Sequence, residues 1–501
     1  MNETKNLVIA FLLVMIVLFV WQWLTPRRPM PQTVNPTPEI TQNIPTEIKE
    51  TPKPTTQLIS SEELKQTETA VTLENKHFKI TFSNFGGSIK SVYLKKYKAE
   101  LIPSNSYVLG TVLNQETNLP ALWQISYHDD STVVFTNKVV KTYRLQDNYM
   151  LSMQINAETS LNENLVIDYQ NGLAFSEANH KDELRHYGVF YRNYNKTEKK
   201  SAVKLKPIAL DTIHWIAVKS KYFTSILAQQ HNFGRVQLTP LNDGRVGYQY
   251  KTPINQSAQF LIYFGPLHYD ILRSHKLGWE AVVDLGWTRI FSVAILKILM
   301  FLYAIFKNYG IAIIIFSIIM KAIFFPLSRM STRQMQQMQL LQPKIEELKK
   351  KYKDNPQALN QETMQLYKLY KINPFSGCLP LLFQLPIFWA LYAVLQKTIE
   401  LRQANFGLWI HDLSLKDPYY ILPILMGVSF LAQNFLTSAD KRNMALLIFM
   451  PIFLTVIFLN FPAGLQLYWL FFNLLSIVES IISRGGLKWK KQKIQTVTEK
   501  T

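Results

Sequence analysis

The chain has 501 residues, of which 48% are hydrophobic, and a formal net charge of +19. Its single cysteine, Cys378, excludes an intrachain disulfide framework. The positive charge alone would fit a nucleic-acid-binding protein, but the basic residues concentrate beside long apolar segments and no RNA- or DNA-binding motif is visible. This arrangement favours contact with anionic lipid and control of membrane orientation, so we expect no DNA partner.

Residues 1–24 predict a membrane anchor, because Leu7–Leu24 is long and apolar. No small-residue cleavage site follows this segment. Trp21 and Trp23 are typical of a membrane interface, so we expect the anchor to stay uncleaved. Residues 25–69 are rich in proline and threonine, which predicts an extended, disordered linker.

Residues 70–280 predict a β-sandwich domain. Lys79–Phe85 and Ser88–Leu94 flank the pair Gly86-Gly87, which indicates a hairpin. Around Thr212–Gln230 the apolar residues recur at helical spacing, so we expect one helix to be added to the sandwich. Further hairpin and turn signals lie at 131–135 with 139–143, at 171–172 and at 243–244.

Residues 281–308 predict an amphipathic helix on the membrane surface. Leu285–Phe306 is apolar enough to span a bilayer, but Arg289 and Lys297 interrupt it and only three residues separate it from the next apolar segment. If it crossed the membrane, the loop 328–375, with nine basic and four acidic residues, would lie outside the cytoplasm. Because that placement conflicts with the positive-inside rule, we place the helix flat on the outer surface.

Six segments predict membrane spans by length and apolar composition. Alternation places both termini, the loop 328–375 and the basic tail 483–501 in the cytoplasm, and the β domain outside. The first core span occupies 309–327, and four further core spans lie within 376–482. The six segments are Leu7–Leu24, Gly310–Leu327, Ser376–Gln396, Pro418–Leu436, Met444–Leu459 and Ala463–Ile482.

Lys321 carries a full charge inside an otherwise apolar span. A lysine near a helix centre costs roughly 2.5–3.5 kcal/mol, so it either snorkels to the interface or lines a wet cavity. Ser317 lies on the same helix face, and Trp469 and Asn473 share a face of the last span. If these faces meet they form a polar groove, although each residue alone is more often a helix–helix hydrogen bond. Glu479 is expected to face water. The other polar residues available to the groove are Gln384, Gln433 and Tyr468.

The loop 328–375 predicts a cytoplasmic helical hairpin. Asn355-Pro356 is typical of an N-cap followed by proline, so a second helix begins there, and Pro343 is expected to kink or restart the first helix. Packing of the two helices buries part of an apolar stripe, whereas Met335 and Met338 are better candidates for an exposed surface that recruits varied apolar segments. The stripe contains Met335, Met338, Leu341, Ile345, Leu348 and Tyr352.

No catalytic motif is visible, so an enzyme is not expected. None of the nine histidines lies in a predicted span, and no zinc-protease, serine-hydrolase or phosphate-loop pattern occurs. A transporter or channel for an anionic solute is an alternative reason for Lys321, although no internal repeat supports it. A scaffold whose β domain is the functional part is a third possibility.

Three stretches of the chain resemble the YidC-type membrane protein insertases. They are NPFSGCLPLLFQLPIFWALY at 373–392, LWIHDLSLKDPYYILPILMG at 408–427 and FPAGLQLYWLFFNL at 461–474. The anchor, linker and β domain resemble the Gram-negative bacterial form. The resemblance implies a chaperone-like insertase of the inner membrane with a periplasmic β domain and no cofactor. The implied partners are nascent membrane proteins, the Sec translocon, membrane lipid, and the ribosome through the basic tail and cytoplasmic loops.

The resemblance also implies a hydrophilic groove among the five core spans, with a basic residue in the first of them. The family typically has arginine there, whereas this chain has Lys321. Lysine keeps the charge but lacks the planar donor fork of arginine. We therefore expect attraction of acidic segments without bidentate capture of a carboxylate.

Overall fold

The computed structural model describes residues 68–113, 122–157, 163–194, 196–230, 233–254, 257–373, 379–437 and 444–486. The predicted anchor, nearly all of the linker, Cys378 and the tail beyond residue 486 lie outside these residues. The chain divides into two compact units. Of the described residues, 333–373 belong to one unit, and all the other described residues belong to the second.

The described residues between 70 and 266 form two antiparallel sheets, which confirms the predicted β-sandwich. The smaller sheet has the order β1-β2-β3-β4. The larger has the order β5-β10-β16-β15-β13-β14-β17-β9-β8-β7-β6, with β11 paired to β13 and β12 paired to β11. The strands are β1 Ala70–Glu74, β2 Phe78–Ser83, β3 Ser88–Leu94, β4 Ala99–Glu100, β5 Gly110–Leu113, β6 Gln124–His128, β7 Thr132–Thr136, β8 Val139–Leu145, β9 Met150–Ala157, β10 Glu163–Tyr169, β11 Gly188–Asn193, β12 Lys196–Ser201, β13 Ile208–Lys219, β14 Phe223–Gln229, β15 Gly234–Pro240, β16 Val246–Ile254 and β17 Ser257–Pro266.

A strand pair replaces the helix predicted for Thr212–Gln230. This segment forms most of β13 and all of β14, which pair from Trp215 opposite Ala228 to Lys219 opposite Thr224. Every residue of β14 is buried. A strand buried on both faces has a continuous apolar run, which spacing alone does not distinguish from a buried helix. The helix prediction is therefore wrong, whereas the predicted pairing of β2 with β3 and of β7 with β8 is present.

The helices lie mainly after the β domain, where the sequence becomes apolar. Two short ones, α1 and α2, belong to the domain. The remaining seven described α-helices overlap the segments predicted as core spans and form the helical hairpin. The bounds are α1 His180–His186, α2 Tyr269–Ser274, α3 Arg289–Phe306, α4 Tyr309–Lys351, α5 Pro356–Leu369, α6 Leu379–Lys397, α7 Ile421–Thr437, α8 Met444–Phe458 and α9 Ala463–Gly486.

Three helical segments in the described part of the chain are long and apolar enough to cross a membrane. They are Gly286–Phe306, Tyr309–Met335 and Ala463–Ile482, and shorter apolar helices cover Ile421–Leu436 and Leu447–Phe458. The first segment includes α3, which we expected to lie flat. Since α3 qualifies as a span by length and composition, its surface position and the total of six spans stay predictions.

The helix α4 runs for 43 residues without interruption. Pro326 and Pro343 both lie inside it, so the helix does not restart at Pro343, whereas the alternative of a kink there stays a prediction. A proline removes one backbone hydrogen bond, and packing of the flanking residues can hold the helix through that defect. On either side of Pro343, Leu341 and Ile345 are buried.

The unit that contains residues 333–373 is a helical hairpin. Asn355 caps α5 as predicted, because its side chain accepts a hydrogen bond from the Ala358 amide at 3.1 Å. The core of the hairpin consists of Leu341, Ile345 and Ile372. Partly buried side chains complete this core: Met338, Leu366, Tyr367 and Tyr370.

The β domain contacts the helices through the segment 397–414 and through Asp284. Tyr222 Oη donates to Ser414 Oγ at 3.0 Å in a buried position. Asp284 Oδ2 lies 2.6 Å from Lys199 Nζ and 3.5 Å from Lys397 Nζ, and Lys397 also donates to the Asp284 carbonyl at 2.8 Å. One carboxylate thus joins β12, the segment before α3 and the end of α6.

Candidate polar site in the membrane helices

Lys321 projects from α4 towards α9, and 8% of the residue is exposed. Its Nζ lies 2.6 Å from Glu479 Oε2 and donates to Ser476 Oγ at 2.8 Å. It also lies 5.1 Å from the centre of the Phe472 ring. A charge removed from water requires a counter-charge and hydrogen bonds, and this site supplies both. Lys321 is therefore an ion-paired residue between two helices.

We expected Glu479 to face water, but it is mostly buried. Its side chain is 9% exposed, and Oε2 accepts from Ser328 Oγ at 2.9 Å as well as pairing with Lys321. Ser328, Ser476 and Glu479 were absent from the predicted site residues. The available signal was the spacing, because Phe472, Ser476 and Glu479 follow one another at four and three residues and share a helix face.

Two further hydrogen bonds between side chains connect α9 to α6 and α7. Gln384 Nε2 on α6 donates to Tyr468 Oη at 2.6 Å. Asn473 Nδ2 donates to Ser429 Oγ on α7 at 3.3 Å. Both pairs are buried, and bonds of this kind hold apolar helices together where no water competes. Gln466 of α9 also donates to the Phe458 carbonyl at the end of α8 at 2.8 Å. The polar residues of α9 therefore contact α4, α6, α7 and α8.

The sequence predicted that the α4 face with Lys321 would meet the α9 face with Asn473. The contacts in the structure are different. Lys321 contacts the face of α9 that contains Ser476 and Glu479, whereas Asn473 is turned towards α7. Ser317 is buried, and its hydroxyl donates within α4 to the carbonyls of Ile313 and Ile314.

Trp469 and Gln433 are the remaining two predicted groove residues. Trp469 is half-buried, and its ring packs against Phe388 and Phe458 with centroids 5.7 Å apart in each case. Gln433 is half-buried on α7. Of the seven predicted groove residues, only Lys321, Gln384, Tyr468 and Asn473 make the hydrogen bonds between helices described above.

The two methionines predicted to form an exposed surface are both half-buried. Met338 packs against the core of the hairpin, so only part of its side chain is available for the exposed surface that the sequence predicted. The reason is that its position, three residues before Leu341, continues the buried side of the stripe. The large apolar side chains that are exposed on the hairpin are Leu340, Met364 and Leu369.

Comparison with known proteins assigns both halves of the chain. Residues 70–298 match the model of the YidC periplasmic domain, and residues 301–491 match that of the 60Kd inner membrane protein. The membrane protein insertase YidC of Syntrophus aciditrophicus is 33% identical over 457 residues, which is 82% of this chain and 84% of that protein. The YidC of Geotalea daltonii is 40% identical over 294 residues, 56% of each chain.

A solved structure described as an active YidC insertase with its first transmembrane domain resolved has a TM-score of 0.40 and 19% identity. It covers 82% of this chain and 92% of that one. The sequence relatives establish the assignment, because the first of them matches more than four-fifths of both chains. The chain belongs to the YidC family of membrane protein insertases.

Proposed function

We propose that the helices α4 and α6–α9 provide a polar route by which segments of nascent membrane proteins enter the inner membrane. The observation that carries this proposal is the buried Lys321, held among apolar helices that also contain the Gln384–Tyr468 and Asn473–Ser429 hydrogen bonds. Polar side chains at membrane depth mark the pathways of substrates. No catalytic step is required.

The physical task of this route is to lower the desolvation barrier. A polar segment that crosses hydrocarbon loses hydrogen bonds to water, at a cost of roughly 2–7 kcal/mol per unpaired amide or hydroxyl. Side chains that offer hydrogen bonds inside the bilayer shorten the unsolvated part of the path. A positive charge at Lys321 adds attraction for acidic segments. The apolar outer faces of the helices then offer the apolar part of the substrate a route into lipid.

For the arrangement in the membrane we propose the topology that the sequence predicts. We propose six spans, with both termini and the α4–α5 hairpin in the cytoplasm and the β domain in the periplasm. The hairpin would meet the emerging chain first through the exposed Leu340, Met364 and Leu369, and the half-buried Met335 is a further candidate. The Sec translocon, and the ribosome through the basic tail, are the proposed partners, because basic segments bind RNA phosphates by charge.

The test is reconstitution of the purified protein into vesicles with a short radiolabelled membrane protein, scored by protease protection. Insertion is expected for the wild type and for Lys297→Ala, which removes an exposed lysine of α3. Lys321→Ala should insert substrates with acidic translocated tails more slowly, and Lys321→Arg should retain activity. Failure of the wild type to insert, or uptake of an anionic solute by the same vesicles, would contradict the proposal and favour a transporter.

A further inference from the structure

Glu479 occupies the position at Lys321 that an acidic substrate segment would need. Its Oε2 lies 2.6 Å from Lys321 Nζ, and the same oxygen accepts from Ser328 Oγ at 2.9 Å. Both side chains are about one-tenth exposed. The cation that would attract a substrate carboxylate is therefore already neutralised by a carboxylate of the chain itself.

The second oxygen of the same carboxylate is in a different situation. Glu479 Oε1 is buried, and within the described part of the chain no group donates a hydrogen bond to it. A buried carboxylate normally accepts several hydrogen bonds, so this half of the group is incompletely satisfied. Lys321 and Ser328 thus both bind the same oxygen of Glu479. Replacing Glu479 at Lys321 by another carboxylate is therefore less costly than it would be if both of its oxygens accepted hydrogen bonds.

Exchange of carboxylates conserves the number of ion pairs. If a substrate Asp or Glu replaces Glu479 on Lys321, the lysine stays paired, whereas a neutral segment offers no such replacement. Removal of one partner from a buried pair is costly, but replacement of one anion by another avoids that cost for the lysine and leaves only the released Glu479 to be solvated. The released Glu479 lies seven residues before the end of α9 at Gly486, about two helical turns from the helix terminus.

We propose that Glu479 is a specificity-determining residue, a resident carboxylate that acidic translocated segments must displace from Lys321. This inference rests on the insertase function proposed above. Glu479 lowers the advantage that acidic segments would gain from an unpaired lysine, so the chain accepts neutral and acidic segments at more similar rates. Ser328 and Ser476 are positioning residues, since one hydrogen-bonds to the resident anion and the other to the cation.

The test is the dependence of insertion rate on the number of acidic residues in the substrate tail. Glu479→Gln retains the shape and a hydrogen-bonding group for Ser328 but removes the charge. We expect it to raise the rate for an acidic tail relative to a neutral tail by about tenfold, which corresponds to about 1.4 kcal/mol. Lys321→Gln combined with Glu479→Gln should abolish the dependence on tail charge.

A purely structural role predicts a different result. If Glu479 only joins α4 to α9, Glu479→Gln should slow all substrates by the same factor, lower Tm and leave the charge dependence unchanged. That result would overturn the inference. Should Glu479→Gln fail to fold, Ser328→Ala keeps the charge and loosens the carboxylate. It should raise the ratio of acidic-tail to neutral-tail insertion, and an unchanged ratio would also overturn the inference.

The outcome is separable from failure of the proposed function. If the wild type inserts substrates and Lys321→Ala slows the acidic-tailed ones, the insertase route stands, whatever Glu479→Gln does. If Lys321→Ala affects no substrate, the route itself fails. Photocrosslinking from an acidic tail residue to α9 gives an independent readout, and Glu479→Gln should raise its yield. A lower or unchanged yield would contradict displacement.

Discussion

Arg402 and Glu177 form an ion pair between two parts of the chain that are 225 residues apart, with Nε of the arginine 2.7 Å from Oε1 of the carboxylate. The guanidinium also lies 5.4 Å from the centre of the Phe223 ring. Arg402 follows the helix α6, whereas Glu177 and Phe223 belong to the β domain. Arg402 therefore connects the β domain to the helices through an ion pair and a cation–π contact.

Arg402→Gln should destabilise the protein, because it leaves Glu177 without its counter-charge in a site that is mostly removed from water. We expect a loss of about 3 kcal/mol, at the lower end of what removal of one partner from a buried pair costs. The measurement is thermal unfolding in detergent. Arg235→Gln is the matched control, since its pair with Asp211 is exposed on both sides and should contribute less than about 1 kcal/mol. Equal shifts for both variants would contradict this role.

Glu400 should make stability depend on pH. Burial raises the pKa of Glu400 to about 7, and its Oε1 lies 3.5 Å from His268 Nε2. Because the folded state keeps the proton, the stability from this group is full below about pH 4.5, falls as pH rises and is lost above about pH 7. Over that window the loss is about 3 kcal/mol at most.

Unfolding of the wild type and of Glu400→Gln should be compared between pH 4.5 and 8. The variant lacks the titrating group, so it should be the more stable protein at pH 8 and the difference should shrink towards pH 4.5. His268, whose pKa burial lowers, gives the opposite slope up to about pH 6.5 and is present in both proteins. A difference that does not vary with pH would contradict the assignment.

Gly310 should not tolerate a side chain. A Cβ at this position would overlap the ring of Phe406 and lie 2.8 Å from its Cβ, so the whole phenylalanine would have to move. Gly310→Ala is expected to lower stability by about 1–3 kcal/mol through overpacking. Gly110→Ala is the control, since its Cβ would meet only Ser88 at 3.9 Å. Similar Tm values for the two variants would contradict the prediction.

The orientation of α3 can be decided by cysteine labelling in a Cys378→Ser background. If α3 lies on the outer surface, Lys307→Cys should react with an impermeant reagent added outside, and the exposed Glu347→Cys should react only after the inside is opened. The reason is that α4 then makes the first crossing after the β domain. Labelling of Glu347→Cys from outside would show instead that α3 crosses the membrane.

The hairpin should recruit substrate through its exposed apolar side chains. Leu369→Asp should reduce crosslinking of a nascent chain to the hairpin severalfold without changing Tm, since Leu369 is 68% exposed. Leu341→Asp provides the contrast, because it places a charge in the buried core and should unfold the hairpin. Normal crosslinking with Leu369→Asp would remove this surface from the proposed route.

Sequence signals that act over a few residues predicted structure well. The hairpin of β2 and β3 depends on the glycine pair between them, and the start of α5 depends on the Asn355 cap. Both are local features, and both are present as predicted. The strand β14 was missed because burial on both faces removes the alternation on which strand prediction depends.

The site was only partly predictable for a related reason. Lys321 was identifiable because one charge in an apolar span needs an explanation. Its partner Glu479 was not, because their contact joins residues far apart in the chain and depends on how α4 packs on α9. The turn of Asn473 towards α7 depends on the same packing.

The carboxylate of Asp284 also sets an order of events during synthesis. Lys199 precedes it in the chain, whereas Lys397 follows it by 113 residues. At about 5–20 residues per second, Lys397 emerges roughly 6–23 seconds after Asp284. The β domain can complete its fold and bind Asp284 through Lys199 during that interval. Its attachment to the end of α6 is then a later step of biogenesis, and it can begin only once α6 has been translated.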